Sequence, residues 1–238
     1  MAETKEPPLV SLPRRNLLVG FAGLALSGCV SGPLMPPTLA AYPPPPRSLR
    51  PTMYEAMPEE RFPIPAVDVE KVDERFWRTI VDDPTGEASG TLVVDTPAKY
   101  LYFTMADGSA IRYGIGVGRE GFAWSGRAKV QYKRKWPRWT PPDDMVARQP
   151  ELQPYSIANG GMDPGLQNPL GARALYIFQD GRDTLYRLHG TPEASSIGRA
   201  VSSGCIRLLN QDVIDLYERV PDGTRIKVIP DPSLRAAL

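Results

Sequence analysis

The 238-residue sequence predicts a mainly β domain, a sandwich or barrel with one or two short helices, behind a leader and a linker. Three observations carry that prediction. From Gly90 onward the apolar residues fall in short period-two, β-branched or aromatic runs; Asp-Gly pairs punctuate them; and only one later segment keeps helical spacing. With 42% apolar and 23% charged residues, the chain is long enough for one packed domain plus appendages.

The leader comes first. Residues 1–16 end in Pro13-Arg14-Arg15-Asn16, and Leu17 to Gly28 carry no charge. A permanent span needs roughly 20 apolar residues, so this shorter run reads as a cleavable export signal over residues 1–28. It closes on Leu26-Ser27-Gly28-Cys29, which resembles the lipobox of bacterial lipoproteins and makes Cys29 the lipidated residue and the membrane anchor. Arg14-Arg15 also resembles a twin-arginine signal, and either export route ends outside the cytoplasm. Val30 after Cys29, rather than Asp, favours the outer over the inner membrane, with the protein on the periplasmic face of the envelope.

Residues 29–66 are rich in Pro, including Pro43 to Pro46 in succession, and read as a semi-rigid spacer unable to bury a core. Over 67–89 a helical extension is expected, because Val69, Val72, Phe76 and Ile80 recur at spacings of three and four. The main domain spans 90–230. Its expected strands are Thr91–Asp95, Tyr100–Thr104, Ile111–Tyr113, Ala174–Phe178 and Thr184–Leu188, with hairpin turns at Asp107-Gly108 and Asp180-Gly181. Lys129 to Arg138 reads as a loop flanking a cleft. A helix follows Asn210, taken as its N-cap, with Val213, Tyr217 and Val220 on one face; Pro221 and Gly223 stop it. Thr224 to Ile229 forms a last strand, and 231–238 is a tail.

Composition excludes some functions. Lys plus Arg number 28 against 27 Asp plus Glu, so no single-sign field exists to capture nucleic acid. One His and two Cys cannot build a zinc site of the usual kind; no cofactor and no metal are expected. If Cys29 carries lipid, Cys205 is left without an internal disulfide partner in an oxidising compartment, which marks it as an intermolecular crosslink or a reactive thiol.

A thiol near its reference pKa of about 8.5 is mostly protonated at neutral pH and needs a base. His189 is the one imidazole in the chain, so a thiolate–imidazole pair can only be Cys205 with His189, sixteen residues apart. Gly204 permits a sharp turn before the nucleophile, and backbone N–H groups around Cys205 are candidates for an oxyanion hole. For the group that orients the imidazole, the candidates are Ser202 and a backbone carbonyl near Gly190.

Ser202-Ser203-Gly204-Cys205-Ile206-Arg207 together with His189-Gly190 resembles the signature of the L,D-transpeptidase catalytic domain, the family also named after ErfK, YbiS, YcfS and YnhG and typified by YkuD. Tyr113-Gly-Ile-Gly-Val-Gly118, Trp136-Pro-Arg-Trp-Thr-Pro-Pro142 and Asn168-Pro-Leu-Gly-Ala-Arg173 are similar to further blocks of that family, so the resemblance covers roughly 90–230. It implies a β-rich catalytic fold, Cys205 as nucleophile, His189 as general base, and a thioester formed on the meso-diaminopimelate carbonyl of a peptidoglycan stem tetrapeptide. An acceptor amine, on another stem or on an envelope protein, then resolves it. Many members carry a second His where Ser203 stands, which puts in doubt a subsite contact rather than the base. Arg207 is a candidate partner for a substrate carboxylate. The alternatives are a hydrolase of the same fold, in which water resolves the thioester, and a non-catalytic wall-binding lipoprotein.

Overall fold

A computed structural model describes residues 51–118, 124–202 and 205–230. The expected lipobox with Cys29, the Pro-rich stretch up to residue 50, Ser203, Gly204 and the 231–238 tail lie outside them.

In chain order the strands and helices are β1 (Thr79–Asp82), β2 (Leu92–Asp95), β3 (Tyr100–Thr104), β4 (Ser109–Gly114), β5 (Val117–Gly118), β6 (Gly126–Lys135), α1 (Asp143–Arg148), β7 (Arg173–Gln179), β8 (Arg182–Thr191), β9 (Ala200–Ser202), β10 (Ile206–Leu209), α2 (Asn210–Arg219) and β11 (Arg225–Ile229). The domain is mainly β. Among the described residues, nine strands form one sheet in the order β1-β4-β3-β2-β11-β6-β7-β8-β10, and β5 pairs with β9 separately. Every neighbouring pair in the large sheet is antiparallel except β2 with β11 and β8 with β10.

Alternation along each strand explains how the sheet closes on itself. Leu92 and Val94, Leu101, Ile111 and Tyr113, Val130, Leu175 and Ile177, Leu188, Ile206 and Leu208, and Ile226 and Val228 all point to one shared core. A flat sheet could not bring its two ends to the same cluster, so this one is folded over into a partly closed barrel. Gly116, just past β4, seals the seam: its N–H donates to the Arg207 carbonyl at 2.9 Å, and the Arg207 N–H donates back at 2.8 Å. From α2, Val213, Leu216 and Val220 enter the same core.

The turns follow their residue chemistry. Asp180 and Gly181 take φ of 50° and 77°, the paired positive values of a tight hairpin between β7 and β8. Gly108, at φ 82°, serves the β3–β4 hairpin, where the Met105 N–H donates to the Ser109 carbonyl at 2.8 Å.

Four expectations are corrected. The 67–89 segment is not helical: it holds 3-10 turns at Val69–Lys71 and Glu74–Phe76 and then strand β1. Val67, Val72 and Phe76 do bury together, but Asp73 caps the second turn and Ile80 lies 67% exposed, paired with Ile111 in the edge of the sheet. The spacer does not extend to residue 66. Tyr54 is fully buried, Met57 bridges Ile64, and the Glu60 carboxylate holds the Arg173 guanidinium at 2.6 and 3.0 Å and accepts from Trp136 Nε1 at 2.9 Å. A few anchors of this kind suffice where composition alone suggests none. Lys129 to Lys135 belongs to strand β6, not to a loop, because its neighbours β11 and β7 pair it on both edges. Asn210 is the first residue of α2 and makes no capping bond; its Oδ1 accepts from the Ala172 N–H at 2.9 Å.

Among the described residues no helix is long and apolar enough to cross a membrane, and no group of three or more His, Cys, Asp or Glu is placed to hold a metal ion.

Candidate active site

The parallel pair β8–β10 assembles the site. Leu188 faces the core, so its successor His189 projects from the opposite face, and the register sets Arg207 beside it. Cys205 lies one residue before β10 and two before Arg207, which returns it to the face of His189, on the line continuing from Arg187. The two residues singled out in sequence thus lie on the same face of the parallel pair, on adjoining segments. On the other side of β8, Ala174 lies opposite His189 and Tyr176 opposite Arg187.

His189 is buried, at 4% exposure, and its Nδ1 sits 2.6 Å from the Gly190 carbonyl oxygen. A carbonyl only accepts, so Nδ1 carries the proton and Nε2 is the basic nitrogen. Among the orienting groups considered from sequence, the carbonyl of Gly190 is in contact with the imidazole. Ser202 lies in β9, and Ser203 and Gly204 are outside the described residues. Gly190 must be glycine for packing reasons: a Cβ there would collide with the Asn210 Oδ1 that anchors α2.

Burial is the largest influence on the imidazole and lowers its pKa to about 4 from an ordinary 6.5; the Arg207 and Arg187 charges push the same way, against the Gly190 and Pro169 carbonyls. His189 is thus neutral at neutral pH, the form a general base requires. Cys205 is half-buried, and desolvation pushes its thiol above the usual value. The backbone N–H of Arg187 and the guanidinium groups of Arg187 and Arg207 oppose that shift by favouring the thiolate. At rest both groups are neutral, a thiol just ahead of one strand and an imidazole on the next.

Arg187 is a site residue that sequence reading missed. Asp183 holds its guanidinium at 2.7 and 2.8 Å, and the group lies over the Tyr176 ring at 4.5 Å. Period-two spacing with His189 was the available signal. Glu193 was also missed; it accepts from Arg207 Nη1 at 2.8 Å, so the expected carboxylate partner of Arg207 is at present one of the chain's own. Pro169 reaches the imidazole because buried Asn168 ties its loop down, donating from Nδ2 to the carbonyls of Pro137 at 3.1 Å and Asp163 at 3.0 Å. Beyond His189 along β8, a cavity of about 430 Å³ opens over Thr191 and Leu209, walled by Ile64 to Asp68 and by Pro192 to Ser195. Neither His189 nor Cys205 lines it.

The family model for the YkuD L,D-transpeptidase catalytic domain matches residues 89–228, more than half of the chain. The chain belongs to that family. It is 33% identical over 141 residues to the "Putative L,D-transpeptidase in ATP synthase subunits region ORF 5" of Fuscovulum blasticum, covering 58% of this chain and 68% of that one. To the "Probable L,D-transpeptidase YbiS" of Escherichia coli K12 it is 35% identical over 151 residues, covering 60% of this chain and 45% of that one. The chain thus spans under half the length of YbiS. A crystal structure of "a Probable carnitine operon oxidoreductase caia" from Brucella melitensis is 42% identical and covers 66% of this chain and 96% of that one at a TM-score of 0.47. In this L,D-transpeptidase family member, His189 and Cys205 sit inside the matched region, whereas the folded segment from Pro51 to Ala88 precedes it.

Proposed function

We propose that the protein is a peptidoglycan L,D-transpeptidase with Cys205 as nucleophile and His189 as general base. One observation carries the proposal: the chain's single imidazole, neutral and with Nδ1 tied to the Gly190 carbonyl, shares a sheet face with Cys205 on the adjoining segment of a parallel pair. His189 Nε2 takes the thiol proton as sulfur attacks the meso-diaminopimelate carbonyl of a donor tetrapeptide stem. The C–N bond to the terminal D-Ala breaks, the imidazolium returns the proton to the leaving amine, and a thioester remains. An acceptor amine then attacks the thioester, giving its proton to His189 Nε2, and expels the thiolate, which regains that proton from the imidazolium. The charges of Arg187 and Arg207 beside Cys205 favour the anionic sulfur formed at both stages. Arg207 is also suited to a stem carboxylate, in exchange for Glu193.

Incubation with purified tetrapeptide muropeptides tests this reading. Crosslinked dimers together with a Cys205 acyl adduct are expected by mass spectrometry. Shortened monomers without dimers would instead make the protein a hydrolase, and no reaction by the intact chain would make it a wall-binding module. Anchoring belongs to the same reading: we place the enzyme on the periplasmic side of the outer membrane through lipid on Cys29, and labelling with a tagged fatty acid is expected in the parent and absent in Cys29→Ser.

A further inference from the structure

The segment before the family-matched region reaches the catalytic loop through Phe76. This residue is 5% exposed and packs with Tyr54, Val67 and Val72 of its own segment, but also with Ile197 of the stretch that joins His189 to Cys205 and with Leu209 at the end of β10. Its ring packs against Gly198, which has φ of 80°; a Cβ at that position would come within 2.7 Å of the Phe76 Cζ. Phe76 presses on Gly114 as well, where a Cβ would meet the Phe76 Cβ at 2.5 Å. It is therefore wedged between the chain leaving β4 and the catalytic loop.

Hydrogen bonds carry that wedge to the nucleophile. The Gly198 N–H donates to the Ile115 carbonyl at 3.0 Å, and the Val117 N–H donates to the Arg199 carbonyl at 2.9 Å. Ala200–Ser202 then pairs with Val117–Gly118, and Arg207 exchanges two bonds with Gly116. Residues on both sides of Cys205 are thus referenced to 115–118, and that strip and the loop share Phe76 as their common support.

We propose that Phe76 is a positioning residue that sets Cys205 against His189 through Gly198, so that the segment ahead of the catalytic domain is part of the catalytic apparatus. The proposal rests on the reading of Cys205 and His189 as the reacting pair. Phe76→Ala leaves the loop without its support, and a misplacement of this kind lowers reactivity on the order of tenfold to a hundredfold. The effect falls on kcat more than on KM, and Phe76→Leu, which keeps apolar bulk, recovers most of it.

A double-mutant cycle on the full chain provides the test, using Phe76→Ala, Gly198→Ala and the pair, read by the iodoacetamide alkylation rate at Cys205 in peptide-resolved mass spectrometry. Gly198→Ala carries the same backbone strain in both backgrounds, so that cost cancels, while the clash with the ring exists only when Phe76 is present. The expected result is that Gly198→Ala slows alkylation several-fold more in the parent than in the Phe76→Ala background. Strictly additive effects, or a folded Phe76→Ala protein with parental alkylation and turnover, would overturn the proposal. Because alkylation needs no peptidoglycan, this outcome is separable from a failure to transfer stems. If Phe76→Ala does not fold, Gly198→Ala alone is read in the full chain, and parental alkylation and turnover by that folded variant overturn the proposal.

Discussion

The sheet contains two parallel strand pairs, β2–β11 and β8–β10, and they have opposite fates. On their inner faces they are alike, with Leu92, Val94, Ile226 and Val228 from one and Leu188, Ile206 and Leu208 from the other meeting in a single core. Their outer faces differ. Above β2–β11, Val93 packs with Tyr102 and Ala110, beside Ile229 and Val81, and forms a second apolar layer. Above β8–β10 stand His189, Arg207, Arg187 and the approach to Cys205. The same backbone device serves cohesion in one place and the proposed chemistry in the other, and the outward residues make the difference.

The contrast is broken most strongly at the reacting pair. Cys205→Ser and His189→Ala are each expected to lower turnover by about 10³-fold or more while the denaturation midpoint stays near that of the parent. Muropeptide turnover and urea unfolding on the same preparations check both halves. At the other parallel pair the pattern inverts: Leu92→Ala, at a fully buried position, should cost about 2–5 kcal/mol of stability and leave turnover of the folded protein nearly intact.

Acidification sharpens the same comparison. Because the folded-state pKa of His189, about 4, lies below the ordinary 6.5, the unfolded chain binds the extra proton between these values. Stability therefore falls as pH drops from 6.5 towards 4, by up to about 3 kcal/mol from this residue. Unfolding of the parent and of His189→Gln across that range should show the slope reduced in the variant. In the free enzyme the acid limb of kcat/KM should likewise lie near 4 rather than near 6.5. A limb near 6.5 would mean that the imidazole is not desolvated as described. The smallest effect belongs to Glu193→Gln: its carboxylate is two-thirds exposed in the pair with Arg207, so stability should change by less than about 1 kcal/mol. A larger loss in urea titration would give that pair a structural role of the kind played by Glu60 and Arg173.

The proposed reacting pair was legible in the chain itself. One imidazole and, beyond Cys29, one thiol leave no choice of partners, and alternation from Thr91 to Ile229 announces a β domain because each strand must bury one face. The turn at Asp180-Gly181 was equally readable, since its φ values favour these residue types. The helix expected over 67–89 shows the limit. Val72 and Phe76 repeat with helical spacing and are buried, yet they meet their partners through two 3-10 turns and a strand, because β4 offers an edge and the catalytic loop offers Gly198.

Local periodicity and residue chemistry thus determined the strands, the main turns and which thiol and imidazole are proposed to react. Tertiary structure decided what surrounds them: that β8 and β10 run parallel in a register setting Arg207 beside His189, that Arg187 and Glu193 join the site, and that Phe76 lies under the loop between base and nucleophile. The reason is physical. A strand's own alternation says which residues share a face, but which strand lies beside it, and in what register, is set by burial and hydrogen bonding among segments far apart in the chain.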